Sequence, residues 1–372
     1  MRILATGALQ GQGGIQFHMR SFLKALDEAG FEVLCLSSNV NTDPRQRESI
    51  AEQFPFPLSH RVELVDFTLQ QGGSLAKFQG LRRRIQAFRP DCFVACGHGW
   101  GNAVVAGLCG RKIPRIYFEV MVGEKLLPWK DSRRHYPWVF SHFFTQSEAV
   151  GEKLQVELGR PRLSFTAIHA FPQHHESLFP LPAVKSGTPK KGELRMAYFG
   201  RVVPHKRPRL MAEHFAAVQD LVGEYHVYGS GPEREEIERV ARESGFAGRI
   251  VCHGRYPEGE AYYKLLAGMD FLVLPTIGME GSPLVLLEAM SCGVPYVACD
   301  TGGIRDYTFP AGHGAVTGRS AEEFVAGVRQ IAETLISGGI NRAALQQHFV
   351  QHYSFQACKG NWLRELQRLG IG

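Results

Sequence analysis

The sequence predicts an α/β protein built from two doubly wound parallel sheets. The chain has 372 residues, more than one hydrophobic core usually supports, so two domains of roughly 150–200 residues are expected. Hydrophobic residues make up 44% and charged residues 21%, which is typical of a globular protein and excludes a disordered one. Short apolar runs alternate with segments of helical spacing, the pattern of parallel strands covered by helices.

The first half of the chain contains the first alternating series. Predicted strands cover residues 2–6, 32–36, 62–65, 92–96, 115–120 and 140–145, and predicted helices cover 15–29, 74–88 and 147–158. The first apolar run is too short for the core of a signal peptide, so it is interpreted as a buried strand. No run approaches the roughly 18 apolar residues that a membrane helix needs.

A stretch rich in Pro, Gly, Ser and Lys predicts an exposed linker. We therefore expect a first domain at 1–180, a linker at 181–193, a second domain at 194–353 and a helical segment at 354–372 that crosses back to the first domain. Predicted strands of the second series cover 194–199, 225–228, 250–253, 271–275 and 295–298, and helices cover 208–221, 232–244, 262–267 and 284–290. Ligands bind beyond the carboxyl ends of such strands, so two facing domains predict a functional cleft.

The cysteines and the net charge indicate the redox compartment of the protein and the kinds of partner it can bind. The eight cysteines form no CxxC pair, which predicts free thiols in a reducing cytoplasm. The net charge is +6, and residues 1–180 carry most of it, with 21 Lys and Arg against 16 Asp and Glu. Arg82, Arg83 and Arg84 and the basic, apolar stretch 125–134 fit a contact with anionic lipid and a solvated basic face equally well. Nucleic acid is not expected, because no recognition motif accompanies the charge.

The most informative stretch, 280–288, follows a predicted strand and opens a helix. Backbone amides around Leu284 and Val285 would have no helical partners there, and the helix dipole adds partial positive charge. An anion site is therefore predicted. Glu288, about one turn into the helix, could accept hydrogen bonds from ribose hydroxyls, and Glu280 could accept them from a sugar, although either glutamate alone would be interpreted as a solvated helix-end charge.

Two further loops follow predicted strands. In the loop 200–208, Arg201 and Lys206 can neutralise a diphosphate whose charge grows as it departs, and fixed charges aimed at a developing anion usually contribute most to catalysis. The glycine-rich loop 7–14 departs from GxGxxG, which disfavours a dinucleotide site. Gly13 and Gly14 either let backbone amides approach a phosphate or sugar, or form a plain turn.

In combination, these motifs resemble family 4 of the glycosyltransferases. The motifs are Gly13-Gly14 before the first helix, Gly200-Arg201 with Lys206, Gly229-Ser230-Gly231-Pro232, His253-Gly254-Arg255, Glu280 with Glu288, and the stretch 289–295. The resemblance implies a GT-B architecture: two Rossmann-like domains, the first binding mainly the acceptor and the second mainly the donor. Where many relatives have Phe-Gly, this sequence has Ser282-Pro283. Proline cannot donate a hydrogen bond, so amide contacts must come from its neighbours.

The resemblance also implies roles for individual residues. The expected catalytic residues are Arg201, Lys206, Glu280 and His98, and the expected donor-binding residues are Gly13, Gly14, Gly200, His253, Arg255, Tyr256, Gly281, Ser282, Pro283, Leu284, Val285 and Glu288. Arg201 and Lys206 would hold the diphosphate, and the turn 253–256 would hold the base. His98, which follows the fourth strand, matches a position where relatives carry a histidine facing the donor hexose, and Glu119, Ser147 and Glu148 are weaker cleft-lining candidates.

The implied activity is a retaining hexosyl transfer from a nucleotide diphosphate sugar, UDP- or GDP-linked, to a glycan, lipid-linked or small-molecule hydroxyl. The setting would be cell-envelope polysaccharide or glycolipid synthesis, in the cytoplasm or at the inner face of the membrane. The sequence contains no DxD pair, so metal independence is predicted, and the nucleotide sugar is a substrate rather than a cofactor. Two alternatives stay open: a nucleotide-sugar epimerase of the same fold and a catalytically silent sugar-nucleotide-binding protein.

Overall fold

A computed structural model describes residues 1–9, 14–37, 54, 56–66, 74–120, 130–172, 180–278 and 280–372. The chain divides into two compact units. The first unit comprises Met1–Gln173 and Phe355–Gly372, and the second comprises His174–Ser354. Each unit contains one parallel sheet covered by helices, so the predicted fold class of two Rossmann-like doubly wound sheets is confirmed.

The sheet of the first unit has seven parallel strands in the order β3-β2-β1-β4-β5-β6-β7. The strands are β1 Arg2–Gly7, β2 Glu32–Ser37, β3 Val62–Asp66, β4 Cys92–Cys96, β5 Arg115–Glu119, β6 His142–Thr145 and β7 Thr166–Ala167. Ile3 of β1 is in register with Val33 on one side and Cys92 on the other. The strand order therefore reverses at β1, which creates a crevice at the carboxyl ends of β1 and β4.

Helices cover both faces of this sheet. They are α1 Gly14–Glu28, α2 Ser74–Phe88, α3 Trp100–Cys109, α4 Tyr136–Val139 and α5 Glu148–Leu158. On one face, Met19 and Phe22 of α1 join the buried core; on the other face, Leu81 of α2 and Val105 of α3 do so. Helix α3 was not predicted from the sequence, because its ten residues contain two glycines and lack a clear polar face.

The sheet of the second unit has six parallel strands in the order β10-β9-β8-β11-β12-β13. The strands are β8 Leu194–Phe199, β9 Val222–Tyr228, β10 Ile250–Gly254, β11 Phe271–Leu274, β12 Tyr296–Cys299 and β13 Gly314–Thr317. The helices that follow are α6 Arg209–Glu213, α7 Arg234–Glu243, α8 Gly259–Ala267, α9 Leu284–Ser291, α10 Ala321–Ile336, α11 Arg342–His352 and α12 Phe355–Arg368. None of the helices in the described ranges is long and apolar enough to cross a membrane.

One predicted helix, 208–221, is wrong as a single element. The α-helix α6 ends at Glu213, His214 leaves the helical region with φ −108° and ψ 13°, and a short 3₁₀ turn, Phe215–Ala217, follows. Phe215 and Val218 are fully buried in the core. Their burial satisfies the apolar spacing without a continuous helix, so the pattern alone could not distinguish the two arrangements.

The C-terminal helix α12 belongs to the first unit. Its Trp362 is 1% exposed, and the Trp362 ring centroid lies 4.6 Å from that of Phe22 and 5.2 Å from that of Phe118. His18 of α1 packs in the same cluster, where Nδ1 of His18 accepts a hydrogen bond from the backbone N–H of Phe171 at 3.0 Å. Burial lowers the pKa of His18 to about 3, so this histidine is a neutral core residue.

Candidate functional site

Three loops of the second unit meet at the carboxyl ends of β8, β9 and β10. The backbone N–H of Gly200 donates to the carbonyl of Tyr228, and the N–H of Gly229 donates to the carbonyl of Gly254. Gly229 has φ +138°, and a Cβ atom there would lie 1.7 Å from the carbonyl oxygen of Gly200. Only glycine allows this close approach, so the glycines at the strand ends hold the loops together.

The loop after β8 carries the two predicted cations. Arg201 is exposed, and its carbonyl accepts a hydrogen bond from the Tyr198 hydroxyl at 2.7 Å. Lys206 ends a 3₁₀ turn, Pro204–Lys206. The carbonyl of the neighbouring residue, His205, accepts hydrogen bonds from the loop after β11. The two loops are therefore tied together, which places Lys206 beside the stretch 280–288.

Lys206 and Glu280 form a direct ion pair in which both side chains are mostly buried. The backbone of Glu280 is fixed as well, because its carbonyl accepts from the N–H of Gly303 at 2.9 Å. A Cβ atom at Gly302 would lie 1.8 Å from the same carbonyl oxygen. Separate roles were predicted for Lys206 and Glu280 from the sequence, and the structure brings the two side chains together.

The helix α9 begins immediately after these residues. Pro283 is its N-cap residue and provides no side-chain hydrogen bond to the first turn. The hydroxyl of Ser282 is paired with that of Tyr307 instead. Leu284 and Val285 are half-buried at the start of the helix. The N-cap residue thus leaves the first-turn amides without a side-chain cap, and the predicted anion site is compatible with the local geometry.

Glu288 is buried one turn further along α9, with 4% of its surface exposed. Its Oε2 accepts a hydrogen bond of 2.6 Å from the hydroxyl of Tyr262. Burial raises the pKa of Glu288 to about 7, and the Tyr262 hydrogen bond opposes that shift. Tyr262 was not predicted as a site residue, because its place on the apolar face of α8 gave no sign of a polar contact with α9.

The turn after β10 contains the residues predicted to contact a base. The ring of His253 is exposed and lies against Tyr228, with 4.3 Å between centroids and 11° between planes. Tyr256 is half-buried, and its ring centroid lies 5.3 Å from that of Phe199. Arg255 is exposed. The turn predicted to contact a base therefore packs on the aromatic rings of Tyr228 and Phe199, neither of which was singled out from the sequence.

His98 lies in the first unit, directly after β4. Gly97 has φ +81° and its carbonyl accepts from the side-chain amide of Asn102 at 2.7 Å. The hydroxyl of Tyr136 accepts from the N–H of Gly99 at 2.7 Å. Within the described residues, Nδ1 of His98 is buried without a hydrogen-bond partner. Hydrogen bonds therefore hold the loop on both sides of His98, while one buried nitrogen of this histidine has no partner within the described residues.

The weaker first-unit candidates have structural contacts. Glu119 is 1% exposed; its Oε2 accepts from the Tyr117 hydroxyl at 2.8 Å and from Arg133 Nη1 at 3.1 Å. Ser147 is buried and caps α5 by accepting from the N–H of Val150. Glu148, the first residue of α5, is exposed. Burial of Glu119 and Ser147 therefore argues against the interpretation that they line an open site.

Two predicted sites cannot be placed in full. Gly13 and residues 125–129 of the basic stretch 125–134 lie outside the described residues, whereas Gly14 is the first residue of α1. Arg82, Arg83 and Arg84 are exposed on α2. Across the described ranges, no three His, Cys, Asp or Glu side chains are grouped as a metal site requires.

Comparison with known proteins gives matches concentrated in the second unit. Residues 193–334 match the family described as Glycosyl transferases group 1. A 2-deoxystreptamine N-acetyl-D-glucosaminyltransferase of Streptomyces fradiae is 35% identical over 33% of this chain and 28% of its own length. A lipopolysaccharide 1,6-galactosyltransferase of Salmonella typhimurium is 28% identical over 36% of this chain and 38% of its own. These matches span well under half of the relatives' length.

Similarity to solved structures extends over the whole chain. A lipopolysaccharide outer core galactosyltransferase, at 15% identity, gives a TM-score of 0.72 with 99% of both chains covered. The Anabaena protein HepE in complex with UDP, at 16% identity, gives 0.73 with 99% of this chain and 100% of its own covered. The chain therefore has the GT-B glycosyltransferase fold, and its second unit is similar to the group 1 glycosyl transferases.

Proposed function

We propose that the protein is a retaining hexosyltransferase of the family 4 type, which moves a hexose from a nucleotide diphosphate sugar to an acceptor hydroxyl. The observation that carries the proposal is the Lys206–Glu280 pair at the uncapped amino end of α9. A cation and a helix amino terminus together favour a diphosphate. The match of this same unit to the group 1 glycosyl transferases supports the proposal.

The donor would occupy the carboxyl edge of the second sheet. Arg201 and Lys206 would contact the diphosphate, and Glu280 would accept hydrogen bonds from the hexose. Glu288 would accept from the ribose, with Tyr262 holding its carboxylate in place. UDP or GDP sugars are the proposed donors, and the presence of UDP in the similar HepE structure supports the former.

The ion pair suggests how the site responds to a donor. In the free protein, Glu280 neutralises Lys206. A diphosphate would compete with Glu280 for the ammonium group, which frees the carboxylate to accept from hexose hydroxyls. As the bond between the anomeric carbon and the phosphate oxygen breaks, the acceptor oxygen bonds to that carbon on the same face. The acceptor proton passes to the departing phosphate oxygen, whose growing charge Lys206 and Arg201 stabilise.

The first unit is the proposed place of the acceptor. We propose that this unit binds a glycan, lipid-linked or small-molecule acceptor, with His98 near the reacting hexose. Cell-envelope polysaccharide or glycolipid synthesis in the cytoplasm fits the similarity to the lipopolysaccharide galactosyltransferases. Peripheral contact with anionic lipid at the inner face of the membrane would use the exposed arginines 82–84 of α2. Catalysis would need no divalent cation.

The test measures release of nucleoside diphosphate from UDP- and GDP-hexoses with and without candidate acceptors, in the presence and absence of EDTA. We expect acceptor-dependent release that EDTA does not reduce. Lys206→Ala should lower kcat by about 100-fold or more, the usual effect of removing a group that stabilises developing charge. Lys191→Ala, which removes an exposed lysine paired with Asp220, should leave kcat unchanged.

Other results would contradict the proposal. A changed hexose on an intact nucleotide sugar would identify an epimerase. Binding of nucleotide sugars without turnover, across a panel of glycan, lipid-linked and small-molecule acceptors, would indicate a silent binding protein. Equal activity in the two lysine variants would show that the cation at α9 does not act on the leaving group.

A further inference from the structure

A chain of hydrogen bonds runs along the strand edge beside the proposed base site. Glu224 and His226 lie on β9, and Oε2 of Glu224 is 2.9 Å from Nε2 of His226. On the other side of the ring, Nδ1 of His226 is 2.9 Å from Nε2 of His253. His226 is 6% exposed, whereas His253 is exposed. The chain therefore leads from a surface carboxylate through a buried imidazole to an accessible one.

The position of His253 in the sheet is irregular. Cys252 of β10 is in register with Val227 of β9, and Gly254 is in register with Tyr228, so His253 is an extra residue between two paired positions. Bulges of this kind are frequent next to functional sites, where they direct a side chain. The His253 ring is held from one side by Tyr228 at 4.3 Å, and Tyr228 in turn stacks on Phe199 at 4.5 Å.

The order of donors and acceptors fixes which nitrogen carries each proton. A carboxylate only accepts hydrogen bonds, so the proton between Glu224 and His226 belongs to Nε2 of His226. In a neutral His226, Nδ1 is then an acceptor, and Nε2 of His253 must donate to it. In a neutral His253, that leaves Nδ1 with a lone pair. The accessible imidazole therefore presents a hydrogen-bond acceptor.

The surroundings favour the neutral state of both rings. Burial lowers the pKa of His226, against the opposing effect of the Glu224 carboxylate. Burial also lowers the pKa of His253, with added repulsion from His226 and from Arg195. Arg195 lies on β8 and forms an ion pair of 3.4 Å with Glu224. The Glu224 carboxylate, the first group of the hydrogen-bonded series, is therefore held by Arg195 as well as by His226.

We propose that His253 selects the donor base by accepting a hydrogen bond at Nδ1 from an N–H group of that base, and that Glu224 and His226 are positioning residues that fix the required tautomer. This inference rests on the proposed function, because it assigns a role within the donor site. It adds two residues that the motifs do not include. Both lie on β9, and hydrogen bonds connect them to His253.

The experiment combines a tautomer measurement with nucleotide binding. Nitrogen-15 NMR of histidine-labelled protein, assigned with His253→Phe, should show Nε2–H and an unprotonated Nδ1 at His253. Calorimetric titration with UDP, GDP and ADP should show a preferred nucleotide. Glu224→Ala should mix the two tautomers of His253 and weaken binding of that nucleotide on the order of fivefold, the effect of one poorly placed hydrogen bond.

Two further variants separate the tautomer from other effects. Glu224→Gln retains an oxygen that can accept from His226, so it should restore both the single tautomer and the affinity. Glu243→Ala removes an exposed glutamate of α7 paired with Arg239, and it should change neither measurement. A loss in Glu224→Gln equal to that in Glu224→Ala would mean that charge matters rather than the tautomer, which overturns the inference.

Failure of the inference can be distinguished from failure of the proposed function. If the wild-type protein binds a nucleotide and Glu224→Ala binds it equally well, the selection role is overturned and the transferase proposal stands. If the wild-type protein binds none of the three nucleotides, both are overturned. A wild-type His253 with its proton on Nδ1 would overturn the inference on its own.

Discussion

Replacing Glu288 by glutamine should change the free energy of unfolding, relative to the wild-type protein, more favourably at alkaline pH than at acid pH. Glu288 is buried, and its pKa of about 7 in the folded protein compares with 4.5 for the unperturbed group. The folded state therefore binds the proton more tightly than the unfolded state. The wild-type protein should lose stability as pH rises from about 4.5 to 7, by about 1.4 kcal/mol per unit of pKa difference, or about 3 kcal/mol in total.

Glutamine removes this titration while its oxygen still accepts from Tyr262. Its amide group adds a buried donor, whose cost does not depend on pH. The free energy of unfolding should be measured with urea at pH 5, 6, 7 and 8 for both proteins. We expect the free energy of unfolding of Glu288→Gln minus that of the wild type to rise by about 2.5 kcal/mol between pH 5 and pH 8, with most of the rise below pH 7.

The matched control is Glu243→Gln, which changes an exposed carboxylate and should give a difference close to constant across the series. A constant difference for Glu288→Gln as well would refute the reasoning, because it would mean that the buried carboxylate titrates in the folded protein as it does in the unfolded chain.

Two further substitutions test the packing of the fold, each by urea denaturation. Gly229→Ala should destabilise the protein by about 2 kcal/mol or more, because its Cβ atom would lie 1.7 Å from the carbonyl oxygen of Gly200. The control is Gly248→Ala, whose Cβ atom would meet nothing within 4 Å and which should leave stability unchanged. Equal losses of stability in the two variants would contradict the close approach at Gly229. Trp362→Ala should cost about 3–5 kcal/mol because the side chain is buried. Trp138→Ala, at a residue 61% exposed, should change stability by less than about 0.5 kcal/mol, and a similar loss in both tryptophan variants would be evidence against the α12 packing.

Much of the fold could be predicted because buried parallel strands are continuous apolar runs. The strands 92–96 and 194–199 were predicted with the bounds that the structure gives. The helix predicted at 284–290 ends one residue later in the structure, where α9 is Leu284–Ser291. The period of apolar residues was misleading at 208–221, where burial on several sides produced helical spacing without a helix.

The site was predictable to the extent that its residues follow strands. Arg201, Lys206 and Glu280 could be named as candidates because loops after strands are where ligands bind in this fold, and their roles stay predictions. The partners Tyr262 and His226 were not found, because each reaches its contact across two elements distant in sequence. Such contacts depend on which strands are neighbours and on their register, and a single sequence does not encode either in a local pattern.

The placement of α12 bears on how the chain acquires its structure during synthesis. The first unit is interrupted by the whole of the second, and helix Phe355–Arg368 is made after both sheets. Until that helix emerges from the ribosome, the apolar side chains of the first sheet and of α1 that pack against Trp362 lack this partner, while every residue of the second unit has already been synthesised. The later unit in sequence can thus mature before the earlier one, and a nascent chain that stalls near Ser354 would present apolar surface to chaperones.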